Sequence, residues 1–353
     1  MFYILQTSCI SPQATYPPPG AGAGIGAAGI GAPRAPVDNM LKAVEPSYEG
    51  IPGSVLRRMS KSVKMGVGAA LPLLSSVPQG ILIGTGNGGM EDSVKFLKQI
   101  IDYDEGLLTP GTFVQSTANA IASQIGLLHH NNGYNATYVH RGLAFESALI
   151  DAAMLVTEHP GHSYLVGGVD EISNHHYRFE YTEGWYKKED LSGKDLYTTD
   201  SPGSIAGEGS AMFLVSGAGA NALAEVKGIL TLRSEDDNTV KAAIQAFLER
   251  YLPAGTLPDL LLSGENGDNR GFSGYERCED MMAPDTTIAR FKHLCGEYPT
   301  ASAYALWLAC NLPPVLPGHL VKRLSKEKPY RTILIYNQYE FSQHSLILLE
   351  RSL

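Results

Sequence analysis

The sequence predicts a layered α/β fold, and three observations carry the prediction. Short, wholly apolar runs recur along the chain and read as strands buried on both faces. Helical stretches alternate with them, and 353 residues at 44% hydrophobic and 18% charged suffice to bury a large core. Similar strand and helix order on either side of residues 216–225 predicts two pseudo-duplicated halves, 1–216 and 217–353.

Taken in order, Phe2-Tyr3-Ile4-Leu5 reads as a short buried strand. Residues 16–36 are rich in Gly, Ala and Pro without helix or strand periodicity, and read as a loop insertion with no function of its own. A basic amphipathic stretch, Leu56-Arg57-Arg58-Met59-Ser60-Lys61, leads into a Gly/Ala-rich helix and then a strand at 80–84. Helical periodicity follows at 93–103, 118–128 and 144–156, with strands at 163–167 and 211–216. The second half repeats the alternation: strands at 260–263, 332–336 and 345–349, helices at 239–251 and 300–309.

Composition excludes several functions. A formal charge of −9 and a pI near 5.6 argue against a nucleic-acid-binding surface, which needs a basic stripe to displace counterions from phosphates, and leave room for local basic patches only. Cys9, Cys278, Cys295 and Cys310 stand at no metal-binding spacing and form no Cys-x-x-Cys, so a reducing cytoplasm fits and neither a disulfide scaffold nor a zinc site is expected. Residues 1–33 carry no charge, yet a secretory signal would need a basic start, and Pro17, Pro18 and Pro19 break any apolar run. No membrane span is expected, because no run approaches 18 apolar residues.

Single motifs decide little. Gly84-x-Gly86-x-x-Gly89 follows a strand and precedes a helix, as a dinucleotide fingerprint does, but it lies well after the first strand, and a strand-to-helix turn needs glycines for backbone reasons alone. His129-His130, His159-x-x-His162 and His175-His176 give no helical pair with a third ligand. Asp170 and Glu171 after Gly167-Gly168 read as capping carboxylates. No metal and no cofactor is implied.

The order of several segments says more. Phe113-Val114-Gln115-Ser116-Thr117-Ala118-Asn119, then Gly133-Tyr134-Asn135-Ala136-Thr137, then Val166-Gly167-Gly168-Val169-Asp170 come in sequence. They are followed by Asp200-Ser201-Pro202-Gly203-Ser204-Ile205-Ala206-Gly207-Glu208-Gly209-Ser210-Ala211 and Lys292-His293-Leu294-Cys295-Gly296-Glu297. This series resembles the β-ketoacyl synthases, in which the corresponding segments line the acyl pocket and dimer contact, approach the nucleophile, end a strand in Ala-Gly-Gly, form the Asp-x-x-x-Gly-Phe-x-x-Gly-Glu-Gly-Ala signature, and form the Lys-x-x-x-Gly-His box. The resemblance covers nearly the whole chain from Gly80 onward and implies a thiolase-like α-β-α-β-α architecture.

The departures bear on chemistry. Counting from Gly133, the nucleophilic cysteine of that family falls on Gly142, which has no side chain to acylate. Its first histidine falls on Ser263 if Ser263-Gly264 replaces His-Gly, and its second falls on Glu297. Condensation needs a thiolate to hold the acyl chain and imidazoles to polarise the malonyl thioester, and all three positions are replaced. The late Asn-Ser-Phe-Gly-Phe-Gly-Gly turn, which in the family helps form the oxyanion hole and gate the pocket, has become Asn337-Gln338-Tyr339-Glu340-Phe341-Ser342-Gln343.

The resemblance therefore implies a silent, chain-length-factor-like subunit that pairs with an active ketosynthase and indirectly with acyl carrier protein. Phe113, Gln115, Leu143 and Phe341 would line its pocket, Ser263 and Glu297 would face Gly142, and Lys292 or Arg141 would pair with Glu297. Two alternatives stand beside it. One is an acyltransferase or condensing enzyme with a relocated nucleophile, with Cys295 flanked by His293 and Glu297 on one side of an extended segment, or less favourably Ser147 with His140. The other is a homodimeric acyl-binding protein.

Overall fold

The computed structural model describes residues 1–16, 30, 33–106, 108–191, 196–325 and 329–352, so most of the predicted 16–36 loop lies outside the described residues. Eleven strands carry the fold: β1 (Phe2–Ile10), β2 (Gly80–Gly84), β3 (Tyr134–Tyr138), β4 (Ser163–Asp170), β5 (Gly209–Ser216), β6 (Ala224–Arg233), β7 (Leu260–Ser263), β8 (Thr287–Arg290), β9 (Val321–Arg323), β10 (Thr332–Tyr339) and β11 (Gln343–Arg351). They form one hydrogen-bonded sheet in the order β9-β8-β7-β10-β11-β6-β1-β5-β4-β2-β3.

From the centre outward, one side runs β1, β5, β4, β2, β3 and the other β6, β11, β10, β7, β8. With the edge strand β9 set aside, the first, fifth, fourth, second and third strands of each half follow one another, with two antiparallel pairings and then two parallel ones. The halves meet where β1 pairs antiparallel with β6, Phe2 opposite Val226 and Ile4 opposite Ala224.

Strand alternation distributes the core. Leu82, Tyr164 and Val166 of one half, and Leu260, Leu262, Ile333, Ile335, Ile347 and Leu349 of the other, face a shared central cluster. That cluster holds two helices, α3 (Ala144–Glu158) and α7 (Ala301–Asn311). The intervening residues Ile81, Ile83, Leu165 and Val169 face α1 (Lys61–Ala70) and α2 (Ala120–Leu128), and Leu261, Leu334, Leu346 and Leu348 face α5 (Asp237–Tyr251) and α6 (Phe272–Asp280). The layers are therefore helix, sheet, helix, sheet, helix. Every residue of α7 from Ala301 to Cys310 is buried, which explains why it shows no polar stripe.

Caps fix the helix starts. Ser60 accepts from the Val63 N–H ahead of α1, Asp236 from Thr239 ahead of α5, and Ser173 from His176 ahead of α4 (Asn174–Glu183), which ends on left-handed Gly184. No helix among the described residues is long and apolar enough to cross a membrane.

Candidate functional site

The starts of α3 and α7 and the β10–β11 hairpin bring the sequence-predicted positions toward one place. Gly142 lies in the 3-10 turn Arg141–Leu143 just ahead of α3, and Arg141 adopts φ +48°. A Cβ on Gly142 would sit 2.3 Å from Tyr339 Cβ and 2.5 Å from its Cγ, far inside van der Waals contact. The Gly142 N–H donates to Gln343 Oε1 at 3.0 Å. The hairpin thus fills the side-chain volume at 142 and caps the backbone donor beside it.

The hairpin holds this position through its turn. Tyr339 pairs with Gln343, while Glu340 and Phe341 take left-handed φ values of 46° and 58°. Arg141 Nη1 donates to Glu340 Oε2 at 2.8 Å, Gln338 Nε2 to the Phe341 carbonyl at 2.9 Å, and the Tyr275 hydroxyl to the Gln338 carbonyl at 3.1 Å.

Glu297 lies opposite. The buried Lys292 ammonium contacts its Oε1 at 2.6 Å, and Asn266 Nδ2 donates to Oε2 at 2.8 Å. Burial raises its pKa, and Lys292 and Asn266 pull it back down. Its backbone is locked between Ile205 and Gly207, its N–H donating to Ile205 O at 2.8 Å and its carbonyl accepting from Gly207 N at 2.9 Å. A Cβ on Gly207 would lie 2.0 Å from the Cys295 carbonyl, so only glycine permits this crossing. The adjacent Glu208 carboxylate, fully buried, accepts from the Ala43 and Ile172 N–H groups and pairs with Lys61. The Gly-Glu-Gly run is therefore architectural.

Between these elements lies a narrow recess with about 30 Å³ of free volume. Its walls include Trp185, Tyr275, Tyr339 and Phe341, with Glu297 and Gln338 among the polar groups. Trp185 and Phe341 pack at 5.3 Å, and the Arg270 guanidinium, forked onto Asp268, lies 5.3 Å from each ring.

Several expectations need correction. Ser263 does not face Gly142: its hydroxyl accepts from the Glu265 N–H and neighbours Glu279, because β7 turns alternate residues to the outer layer. Asn266, three residues on and just before left-handed Gly267, reaches Glu297 instead. Residues Lys292–Cys295 form a helical turn, so His293, Cys295 and Glu297 do not share one side of an extended segment. His293 bonds to Tyr197 and His319, and burial depresses it to about 3. The Cys295 thiol donates to the Gly296 carbonyl, and burial pushes it well above its usual range, the opposite of what a nucleophile requires.

The Ser147 hydroxyl donates to the Leu143 carbonyl at 2.8 Å, with His140 at 3.4 Å. Phe113 is 54% exposed and packs on Phe96, Gln115 accepts from the Ser60 N–H, Leu143 is buried in its turn, and none of these three lines the recess. Phe341 does. Tyr339, Gln343 and Asn266 were not singled out by sequence; the dipeptide Asn266-Gly267, a second polar-Gly pair after β7, was the available signal.

The Gly84–Gly89 turn binds its own carboxylate. Asp170 accepts from the Gly86 N–H at 2.8 Å and from the Thr85 hydroxyl at 3.1 Å, and ties them to Thr300 at the start of α7. Gly84 abuts the Ala144 backbone and Gly86 the Pro299 ring, so these glycines serve packing.

The family model of the β-ketoacyl synthase N-terminal domain matches residues 33–186. Over 99% of both chains the structure superimposes on the ishigamide ketosynthase/chain length factor with a TM-score of 0.77 at 14% identity. The chain has the β-ketoacyl synthase fold. It is likewise similar to the ketosynthase ApeO in complex with its chain length factor ApeC from Xenorhabdus doucetiae, with a TM-score of 0.73, 11% identity, and 99% and 98% coverage of the two chains. A third similar structure is AntDE:AntF, a type II polyketide synthase acyl-carrier protein in complex with its ketosynthase bound to the hexaketide, with a TM-score of 0.75, 13% identity and 99% coverage of both chains. No curated protein matches the sequence. At these identities the ketosynthase likeness establishes architecture, and function must be argued from the residues of the site.

Proposed function

We propose that this chain is a catalytically silent, chain-length-factor-like ketosynthase subunit that pairs with an active ketosynthase, and through it with acyl carrier protein, in type II fatty-acid, polyketide or aryl-polyene-type biosynthesis. One observation carries the reading: Tyr339 stands in the volume that a nucleophile at 142 would need, while Gln343 occupies the Gly142 N–H. A ketosynthase fold with its nucleophile replaced by glycine and its backbone donor capped by its own amide cannot form a thioester there or stabilise an oxyanion. In this reading Asn266-Gly267 takes the place of the family's His-Gly, and the Lys292–Glu297 pair takes that of its second histidine.

Partnership is supported by an open edge. Among the described residues β3 is the last strand of the sheet and leaves one side unpaired, with Tyr134 44% exposed and Val139 56%. The similar assemblies described above are named as ketosynthases with chain length factors or with a carrier protein. A recess with room for only one or two waters does not accommodate an acyl chain between Gly142 and Glu297, which disfavours an acyl-binding homodimer built on that cavity.

The test is capture of the tagged chain from its native cells, followed by a malonyl-carrier condensation assay on the captured material. Recovery of a cysteine-containing ketosynthase whose activity or product length depends on this chain is expected. Condensation by the purified chain alone would overturn the proposal.

A further inference from the structure

The C-terminal end of α7 opens on a second, much larger space. Glu297 and Tyr298, ahead of the helix, line the recess, whereas Leu312, just after it, lines a groove of about 890 Å³. Eleven residues of helix separate the two, roughly 16 Å along the axis. The groove falls in the size range of small-molecule sites. Its walls are the proline-rich segment 312–316 together with Leu324 and Tyr330. Val315 and Leu324 present apolar surface to solvent, 70% and 56% exposed. Consecutive Pro313 and Pro314 fix the backbone of one wall, so little ordering is needed when a ligand enters.

Among the described residues, one charged side chain lines this apolar space, Arg351 at the end of β11. Its Nη2 donates to the Leu312 carbonyl at 2.9 Å, while its Nε is buried without a partner. No carboxylate of the described residues pairs with it. A guanidinium held against apolar walls without a counter-charge is costly. With Nη2 engaged and Nε enclosed, Nη1 is the donor left to face the groove, and it suits one oxygen of a carboxylate. A ligand complementary to both features carries a carboxylate on a linear apolar chain.

We propose that this groove is a binding site for a long-chain fatty carboxylate, with the carboxylate on Arg351 and the alkyl chain along the wall from Leu312 to Leu316 and against Leu324 and Tyr330. The site is separate from the recess and stands whether or not the silent-subunit reading does.

Palmitate titrated into the full-length protein by calorimetry tests it. Saturable binding is expected, weakened about tenfold or more in Arg351→Gln, while hexadecanol binds both proteins equally weakly. Val315→Asp, at an exposed position that leaves the core untouched, should also weaken palmitate binding by placing a charge on the apolar wall that holds the alkyl chain. A photoreactive palmitate analogue should label the peptide spanning 312–324. No saturable binding to the unaltered protein, palmitate affinity indifferent to both substitutions in variants that retain the original Tm, or labelling confined to the Trp185–Phe341 recess would each overturn the assignment.

Discussion

Replacing Gly142 with cysteine asks directly whether the hairpin occupies the side-chain volume at this position, where the proposed reading puts the lost nucleophile. The new Cβ would lie 2.3, 2.5 and 2.8 Å from Tyr339 Cβ, Cγ and Cδ1, against an optimal carbon–carbon separation of about 3.5–4.0 Å. Relief requires β10 to move by more than 1 Å, and overpacking of this kind costs about 1–3 kcal/mol. With an unfolding entropy of about 2.1 cal/mol/K per residue, 353 residues give ~0.7 kcal/mol/K, so Gly142→Cys should lower Tm by roughly 1–4 °C. Because the contact begins at Cβ, only Tyr339→Gly removes it. That substitution alone loses a buried ring, about 3–5 kcal/mol. The double variant should therefore be at least about 1 kcal/mol more stable than the sum of the two single losses. The assay is thermal unfolding of the four proteins together with thiol labelling, since the four native cysteines are all buried and contribute little background. The introduced thiol should label slowly in the single variant and quickly in the double. An unchanged Tm with rapid labelling in Gly142→Cys alone would refute the placement of Tyr339. Neither variant should condense acyl chains, because no imidazole stands at Glu297 or Asn266.

Three further outcomes follow from the buried charges and thiols. Glu297→Gln leaves the Lys292 ammonium buried without its counter-charge and should cost about 3–5 kcal/mol in denaturant unfolding, part of it recovered by adding Lys292→Met; a loss under 1 kcal/mol would mean that the pair is open to water. Burial raises Glu171 from 4.5 to about 7, so the folded chain retains a proton that the unfolded chain releases between these values. Its contribution is complete below about pH 4.5 and is lost as pH rises through 7, by at most about 3 kcal/mol; Glu171→Gln should flatten the Tm profile over that window, and an identical profile would refute the shift. All four thiols, with Cys9 and Cys310 pushed up to about 12, should resist alkylation in the native protein and react together on unfolding; selective labelling of Cys295 would revive a relocated nucleophile.

The layered fold was legible in the sequence because its central strands are wholly apolar: 80–84, 163–167, 211–216 and 260–263 all lie in observed strands. Four strands left no comparable signal. β3, Tyr-Asn-Ala-Thr-Tyr, is a half-polar edge; β6 alternates because one of its faces is only half-buried; β8, Thr-Ile-Ala-Arg, has two apolar residues; and β9, Val-Lys-Arg, has one. Helix starts were read to within three residues at 93–103, 118–128 and 144–156, where periodicity is clear. At the site, Gly142 and Glu297 could be read by counting along motifs. The displacement of Ser263 by Asn266 could not, since a loop change of three residues alters which side chain leaves the strand on the inner face. The occupancy of Gly142 by Tyr339 was beyond sequence for a simpler reason: the two are 197 positions apart and meet only because the fold places the hairpin over the start of α3.

The repeated strand order bears on how a chain of this fold could lose chemistry, as proposed here, and remain folded. Each half delivers one central helix whose first residues point to the shared site, while the sheets and outer helices are built from separate side chains. In the silent-subunit reading, the positions that would carry chemistry sit in two short turns and a hairpin tip, and their contacts are mostly with one another. Substitutions there cost stability through those local contacts, as worked out above for Gly142, Tyr339 and Glu297, and leave the pairing of the strands in place. A scan of substitutions through Arg141–Leu143, Gly296–Tyr298 and Tyr339–Gln343 would find positions whose tolerance is set by their immediate neighbours, with the register of the sheet unaffected.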